Sequence, residues 1–319
     1  MARFATIAAL ESTGVKAKNK PEGISITDHI LNQLKSEIAK VLPDKPDLIV
    51  MTEACDRPGD MSIEEVMDYY MNLHGDKIIK GLGEIAKENN CYIAFGTWRL
   101  AEDGYGRNAC AMVDRQGKLM GYYDKNYLTP YEHGWYNLVP GEDETVFECD
   151  FGRVGALTCF DMNFSEIREK YKKAHPDIVV FDSHYNGGLV RNFFAIDCQC
   201  FLVSCSPFPS DITSPMGTVV STATGYYKTA VARINLDYAI CHLDFNRPKF
   251  QAAKEKYGPN FKITEPGGLG FVMISYEGTD KTIKDIIKEF DIELYDEYMA
   301  RSRKVRDDLL LKLKEEKNS

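Results

Sequence analysis

Long apolar runs are missing from this chain of 319 residues. The opening stretch Phe4 to Leu10 is too short to cross a bilayer, and no cleavage pattern precedes Glu11, so it reads as a first strand. Basic charge is also short. Lysine and arginine total 39 against 48 acidic residues, a net charge of -9, and no basic cluster carries interleaved aromatics. That balance excludes a nucleic-acid or membrane surface and fits a soluble cytoplasmic protein. Cys198, Cys200 and Cys205 have no second pair or histidine at zinc spacing, so no metal is expected. The nine cysteines are odd in number and irregular in spacing, which points to free thiols in a reducing compartment. Neither a Gly-x-Ser-x-Gly nor a Gly-x-Cys-x-Gly elbow occurs, which disfavours a serine hydrolase or a glutamine amidotransferase. Gly267-Gly268-Leu269-Gly270 lacks the strand and helix flanks of a phosphate-binding loop and reads as a turn.

What is present is an alternation of strand and helix in a chain 44% hydrophobic, long enough to bury a sizeable core. A helix is predicted near Thr27 to Val41, and a longer helical region from Ile63 to Asn89 with Gly75, Gly81 and Gly83 suggesting interruption. Strands follow at Tyr92 to Trp98, Ala109 to Val113 and Leu119 to Tyr123, the last two turned at Asp114-Arg115-Gln116-Gly117. Later strands fall at Arg153 to Thr158, Ile178 to Asp182 and Phe201 to Ser206, with a helix over Leu189 to Cys198. Such a mixture fits an α/β fold of sheets covered by helices. From Lys281 onward, Ile283, Ile286, Ile287 and Phe290, then Val305, Leu309, Leu310 and Leu313, keep helical spacing in a charged segment. The expected organisation is therefore a main domain over 1–280 and a helical extension over 281–319, which either crosses to a second copy or lies back on its own domain.

Three segments share one design, an apolar strand that delivers a functional group to a loop. Val154-Gly155-Ala156-Leu157-Thr158 ends in Cys159, and the helix-favouring residues after Ser165 would place the thiol at a strand-to-helix turn. Helix N–H groups there stabilise a thiolate, the nucleophilic form. Leu48-Ile49-Val50-Met51-Thr52 ends in Glu53, where burial would raise the carboxyl's pKa into the range of a general base. Leu119 to Asp124 leads into Lys125 and a long aromatic-rich loop. Taken singly, each residue also fits a plain role: a small core cysteine, a solvated strand-end glutamate, a surface lysine.

Taken together and in this order, the three segments resemble the nitrilase superfamily of carbon–nitrogen hydrolases. Its Glu, Lys and Cys triad falls on Glu53, Lys125 and Cys159, its additional glutamate on Glu132, and its nucleophile signature on Cys159 to Glu166. Phe194 to Val203 looks like the family's helix-into-strand segment. Ser214-Pro215-Met216-Gly217 and Ala230 to Leu236 look like its late hairpin, so that the likeness runs from about Arg3 to about Phe245. The resemblance implies a four-layer αββα sandwich that usually dimerises or forms a higher homo-oligomer.

It also implies a mechanism without a cofactor. Cys159 attacks the carbonyl carbon, Lys125 and the backbone N–H of Phe160 hold the oxyanion, and Glu53 moves the protons, while Glu132 steadies Lys125 or the leaving amine. Phe160-Asp161 follows the nucleophile where nitrile-cleaving members carry Trp-Glu, which points to a small amide or N-carbamoyl compound as substrate. Nitrile hydrolysis, acyl transfer on the same triad and a catalytically idle binding protein are the rival readings. Tyr127, His133, Trp135, His184, Tyr185, Asn186 and Arg191 are the candidate pocket residues, with Arg191 offering a fork for a substrate carboxylate.

Overall fold

Apolar runs become strands in this protein, and the polar residues that end them come to one edge of each sheet. The structure, a computed structural model, describes residues 2–11, 14–207, 209–265 and 267–318. The chain forms two compact units, of which Ala5–Ile234 is the larger. Its first half runs β1 (Phe4–Leu10), α1 (Ile26–Ala39), β2 (Leu48–Val50), α2 (Ile63–Asp68), α3 (Lys77–Asn89), β3 (Tyr92–Leu100), β4 (Gly106–Val113) and β5 (Leu119–Asp124). Its second half runs α4 (Pro130–Tyr136), β6 (Val146–Glu148), β7 (Arg153–Thr158), α5 (Ser165–Ala174), β8 (Ile178–Asp182), α6 (Leu189–Cys198), β9 (Phe201–Cys205), β10 (Asp211–Thr213), β11 (Val219–Thr222) and β12 (Thr229–Asn235).

Two six-stranded sheets result, in the orders β12-β1-β2-β3-β4-β5 and β11-β10-β9-β8-β7-β6. β1, β2 and β3 are parallel, as are β7, β8 and β9, and these strands are apolar on both faces because both are covered. On one face of the first sheet, Ile30, Leu34 and Ile38 of α1 and Ile78 and Leu82 of α3 pack with Ala8, Ile49, Ile93 and Ala111 in one core. Each fully buried side chain of this kind contributes about 1.5–3 kcal/mol. The other face meets the second sheet: the Cys205 thiol of β9 donates to the carbonyls of Leu10 at 2.7 Å and Val50 at 3.2 Å. Beyond that sheet, α5 sends the Tyr171 hydroxyl to the Ala156 carbonyl of β7, and Phe194 of α6 meets the Tyr171 ring edge-on. The layers therefore run helix, sheet, sheet, helix.

The predicted helical region does break at Gly75, after a π turn over Tyr69–Leu73. Gly81 and Gly83, expected to interrupt it, lie inside α3. They serve close approach instead, since a Cβ would lie 2.5 Å from the Leu31 side chain at Gly81 and 2.4 Å from the Gly117 carbonyl at Gly83. Ser214 to Gly217 turns β10 into β11, while β12, expected in the same late hairpin, pairs in the other sheet beside β1.

The smaller unit begins at Asn235 and includes the chain's first residues through Phe4. It holds β13 (Tyr238–His242), α7 (Arg247–Tyr257), β14 (Phe261–Thr264), β15 (Phe271–Tyr276), α8 (Ile283–Phe290) and α9 (Tyr295–Asn318), with an antiparallel sheet in the order β13-β15-β14. Ile283 and Ile286 of α8 share a core with Phe250, Phe261 and Ile274. The boundary expected at 280 thus falls inside this unit, because α8 buries its apolar stripe on the sheet that precedes it. α9 buries no residue within the chain, and its Val305, Leu309, Leu310 and Leu313 stay exposed.

Candidate active site

β5 is antiparallel to β4, which is antiparallel to β3, so β2, β3 and β5 run the same way. Glu53, three residues past β2, and Lys125, just past β5, leave at one end, where Asn108 enters β4 opposite Trp98. In the second sheet Thr158 of β7 pairs with Asp182 of β8, which sets Cys159 and His184 just beyond neighbouring strand ends. Both key turns use left-handed backbone in non-glycine residues, φ +44° at Ala54 and φ +50° at Cys159. Such conformations cost about 1–3 kcal/mol and persist where the surroundings enforce them. Here Gly96 of β3 clamps the Glu53 turn, accepting from the Cys55 N–H at 3.0 Å and donating to Thr52 at 3.3 Å. A side chain at Gly96 would put its Cβ 2.5 Å from the Cα of Glu53.

Lys125 is buried between two carboxylates. Its Nζ lies 3.1 Å from Glu53 Oε1 and 2.9 Å from each oxygen of Glu132. The Asn108 amide bridges the same pair, donating to Glu53 Oε1 at 2.8 Å and to Glu132 Oε1 at 2.6 Å, and the His184 N–H donates to Glu53 Oε2 at 3.1 Å. Glu132 is fixed by helix geometry. It sits at the third position of α4 and accepts from the Thr129 N–H at 2.7 Å and the Thr129 hydroxyl at 3.0 Å, a capping box with Pro130 at the first turn. The segment expected as a loop is therefore a short helix, and its start is legible in Thr129-Pro130-Tyr131-Glu132.

Electrostatics reverse two expectations. Burial raises the Glu53 pKa, but the Lys125 ammonium, His184 and the hydrogen bonds from Asn108 and Cys159 together override it and hold the carboxyl down to about 2. Burial and then the Glu53 carboxylate push the Cys159 thiol up to about 12, against the pull of Lys125. Lys125 itself is desolvated, yet Glu53, Cys159 and Glu132 keep its pKa above the ordinary lysine value. No α-helix begins at the nucleophile: a 3-10 turn covers Cys159–Asn163, and α5 starts at Ser165. The resting site is thus a protonated thiol beside a carboxylate strong enough to stay ionised across the neutral range.

Glu53, Lys125, Glu132 and Cys159 line one cavity of about 340 Å³. Trp98, Tyr131, Trp135 and Tyr136 give it aromatic walls, and Arg57, Asn108 and His184 add polar groups. The sequence profile of the family described as carbon-nitrogen hydrolase matches residues 25–240. The chain belongs to the carbon–nitrogen hydrolase family. Among sequence relatives, the omega-amidase NIT2 of Homo sapiens is 24% identical over 203 residues, covering 59% of this chain and 73% of that protein. Among solved structures, Nit3 of Saccharomyces cerevisiae, a member of branch 10 of the nitrilase superfamily, superposes with a TM-score of 0.62 at 19% identity, over 73% of this chain and 90% of its own. An amidase from Nesterenkonia sp. AN1, with acrylamide added at its active-site cysteine, gives 0.61 at 15% identity, over 72% and 93%. The αββα expectation agrees with these folds, and the chain is a cysteine-dependent carbon–nitrogen hydrolase of the nitrilase superfamily. Among the described residues no helix is long and apolar enough to cross a membrane, and no group of metal-ligating side chains converges.

Of the hydrolase's candidate pocket residues, Trp135 and His184 line the cavity and the others do not. Tyr127 stacks on Phe164 at 3.7 Å and donates its N–H to Asp161. His133 turns Nδ1 to the Leu138 carbonyl at 3.0 Å, Tyr185 takes a hydrogen bond from Asn163 at 3.1 Å, and Asn186 donates to the Pro209 carbonyl at 3.2 Å. Arg191 is buried in an ion pair with Asp211, so the carboxylate fork expected there is already occupied. Asp161 is fully buried and accepts from the Tyr123 hydroxyl at 2.7 Å and the Tyr127 N–H at 2.6 Å, with burial pushing its pKa up to about 7. It ties the lysine segment to the nucleophile turn rather than facing substrate. Asn108, Trp98 and Arg57 escape sequence reasoning, although Asn108 is the one amide at the head of the apolar run Ala109 to Val113.

Proposed function

We propose that this hydrolase cleaves a small amide, or an N-carbamoyl compound, through a thioester on Cys159. The supporting observation is the buried Lys125 held between Glu53 and Glu132 on the same cavity as the thiol. Glu53 takes the thiol proton as Cys159 sulfur attacks the carbonyl carbon. Lys125 and the Phe160 N–H, early in its turn where N–H groups have no partner within the turn, receive the oxyanion. The proton then passes to the leaving nitrogen, which departs as ammonia or amine. Water, deprotonated by Glu53, attacks the thioester and releases the acid and the free thiol. Glu132 keeps the ammonium aimed at the oxyanion.

Amide cleavage is favoured over nitrile cleavage by the relatives, one an omega-amidase and one an amidase. Ammonia release from matched amide, ureido and nitrile compounds with one side chain tests the reading, the amide or ureide being the expected substrate. A higher kcat/KM for the nitrile overturns it, and acyl transfer to an added amine in preference to water assigns the chain to the rival class.

The same reading takes the enzyme as cytoplasmic and homo-oligomeric, supported by nine unpaired cysteines and by the exposed apolar residues of α9. Light scattering is expected to give a mass of at least twice 36.1 kDa. A monomer at micromolar concentration would count against oligomerisation.

A further inference from the structure

We infer that Arg57 anchors a carboxylate at the far end of the substrate, so that this enzyme acts on amides or ureides bearing an acidic group. The inference rests on the amide-hydrolase reading above and names the substrate class of that same cavity.

Arg57 lies in the loop that leaves Glu53 and lines the cavity with Glu53, Lys125 and Cys159. Its guanidinium sits over the Trp98 ring at 5.1 Å, and its Nη2 is 3.4 Å from His184 Nε2. The stack orients the fork without satisfying its charge. The carboxylates near it are otherwise engaged. Asp56, the adjacent carboxylate, is fully buried and accepts from the Tyr70 hydroxyl at 2.6 Å and the Thr97 hydroxyl at 2.5 Å, with His74 Nε2 at 2.7 Å. Glu53 and Glu132 are taken by Lys125 and Asn108. Desolvation keeps the His184 imidazole below its usual pKa, so at neutral pH it is an uncharged acceptor and supplies no counter-charge. Among the described residues no carboxylate is within ion-pair distance of Arg57, in contrast with Arg191 and its Asp211.

Charge balance favours the same conclusion. Two carboxylates and one ammonium leave the reacting cluster with a net negative charge, which repels an anionic ligand; Arg57 offsets it. A cationic amide would meet the guanidinium and be disfavoured. An anion closing the cavity gives Arg57 the paired hydrogen bonds its planar fork is shaped for. The volume, about 340 Å³, is at the small end of ligand sites, which suits a short chain with an amide at Cys159 and a carboxylate at Arg57.

The test measures ammonia release by the full chain from compounds paired by length. Succinic acid monoamide is set against butyramide, glutaric acid monoamide against valeramide, and N-carbamoyl-β-alanine against N-propylurea. The expected result is a kcat/KM ratio favouring the acidic member by about thirty-fold or more, since a charged hydrogen-bonded pair separates affinities to that extent. In Arg57→Ala the ratio is expected to fall at least tenfold, through KM rather than kcat. Arg57→Lys, which keeps the charge and loses the fork, should give an intermediate ratio and covers the case in which the alanine variant folds poorly. A wild-type ratio near one, or a ratio unchanged in both variants, overturns the anchor while leaving amide hydrolysis standing. Absence of ammonia from every compound, acidic and neutral, overturns the amide-hydrolase reading itself.

Discussion

Cys159→Ala and Cys159→Ser each lower kcat/KM at least about ten-thousand-fold, the scale on which covalent triads fail when the nucleophile is lost. The alanine variant loses the atom that forms the thioester. The serine variant keeps an oxygen in its place but meets an unsuitable base, because Lys125, His184 and Asn108 hold the Glu53 carboxyl down to about 2. Such a weak base removes a thiol proton only as the sulfur commits to the carbonyl, and a hydroxyl is far less acidic. Both variants should keep the fold. Cys159 is only half-buried, and the left-handed backbone at φ +50° is equally strained for any side chain bearing a Cβ. The measurement is ammonia release together with thermal melting, with a midpoint expected within a few degrees of wild type. Turnover within tenfold of wild type by either variant would remove Cys159 from the covalent role.

The three residues of the cluster are legible because each ends an apolar run, and strand ends are a local property of sequence. Their charge states are not. Glu53 meets Lys125 across 72 residues of chain, and that contact together with His184 and Asn108 reverses the pKa direction that burial alone dictates. The thiol shows the same limit: the helix start lies at Ser165, too far along the chain for its dipole to act on Cys159. Arg191 and Arg57 make the clearest contrast. Both are arginines near expected pocket loops, and only the fold reveals that Asp211 occupies one while the other stacks on Trp98. The helix over Pro130–Tyr136 belongs to another class, since its Thr129 and Glu132 cap is present in the letters and is masked by the aromatic content around it. In the smaller unit α7, β14 and β15 are not legible in the same way. α7 carries only Phe250 and Ala253 as buried positions, and β14 only Phe261, too few for a period to emerge.

Lys125→Met removes the ammonium and keeps much of the stem, and it is expected to cost about 3–5 kcal/mol at neutral pH, the range for stripping one partner from a buried ion pair. Asn108 cannot compensate, because its single amide nitrogen already donates to both Glu53 and Glu132. Activity should fall at least about a thousand-fold, through the lost oxyanion donor and the misplaced base. The pH dependence separates charge from shape. In the wild type, Glu53 has a folded pKa of about 2, below its ordinary value of 4.5, so its stabilising contribution is complete above 4.5 and is lost as pH falls towards 2. Without the ammonium, burial loses its strongest opponent, and the folded-state Glu53 pKa rises from its wild-type position although His184 and Asn108 still pull it down. The variant therefore takes up the Glu53 proton at a higher pH than the wild type, and the penalty shrinks as pH falls through that range. Urea unfolding at pH 4 and pH 7 should therefore show a stability gap between the two proteins that narrows on acidification. A gap of equal size at both values would mean that Lys125 supports the fold by filling space, and the charge cluster would lose its place as the organising element of the site.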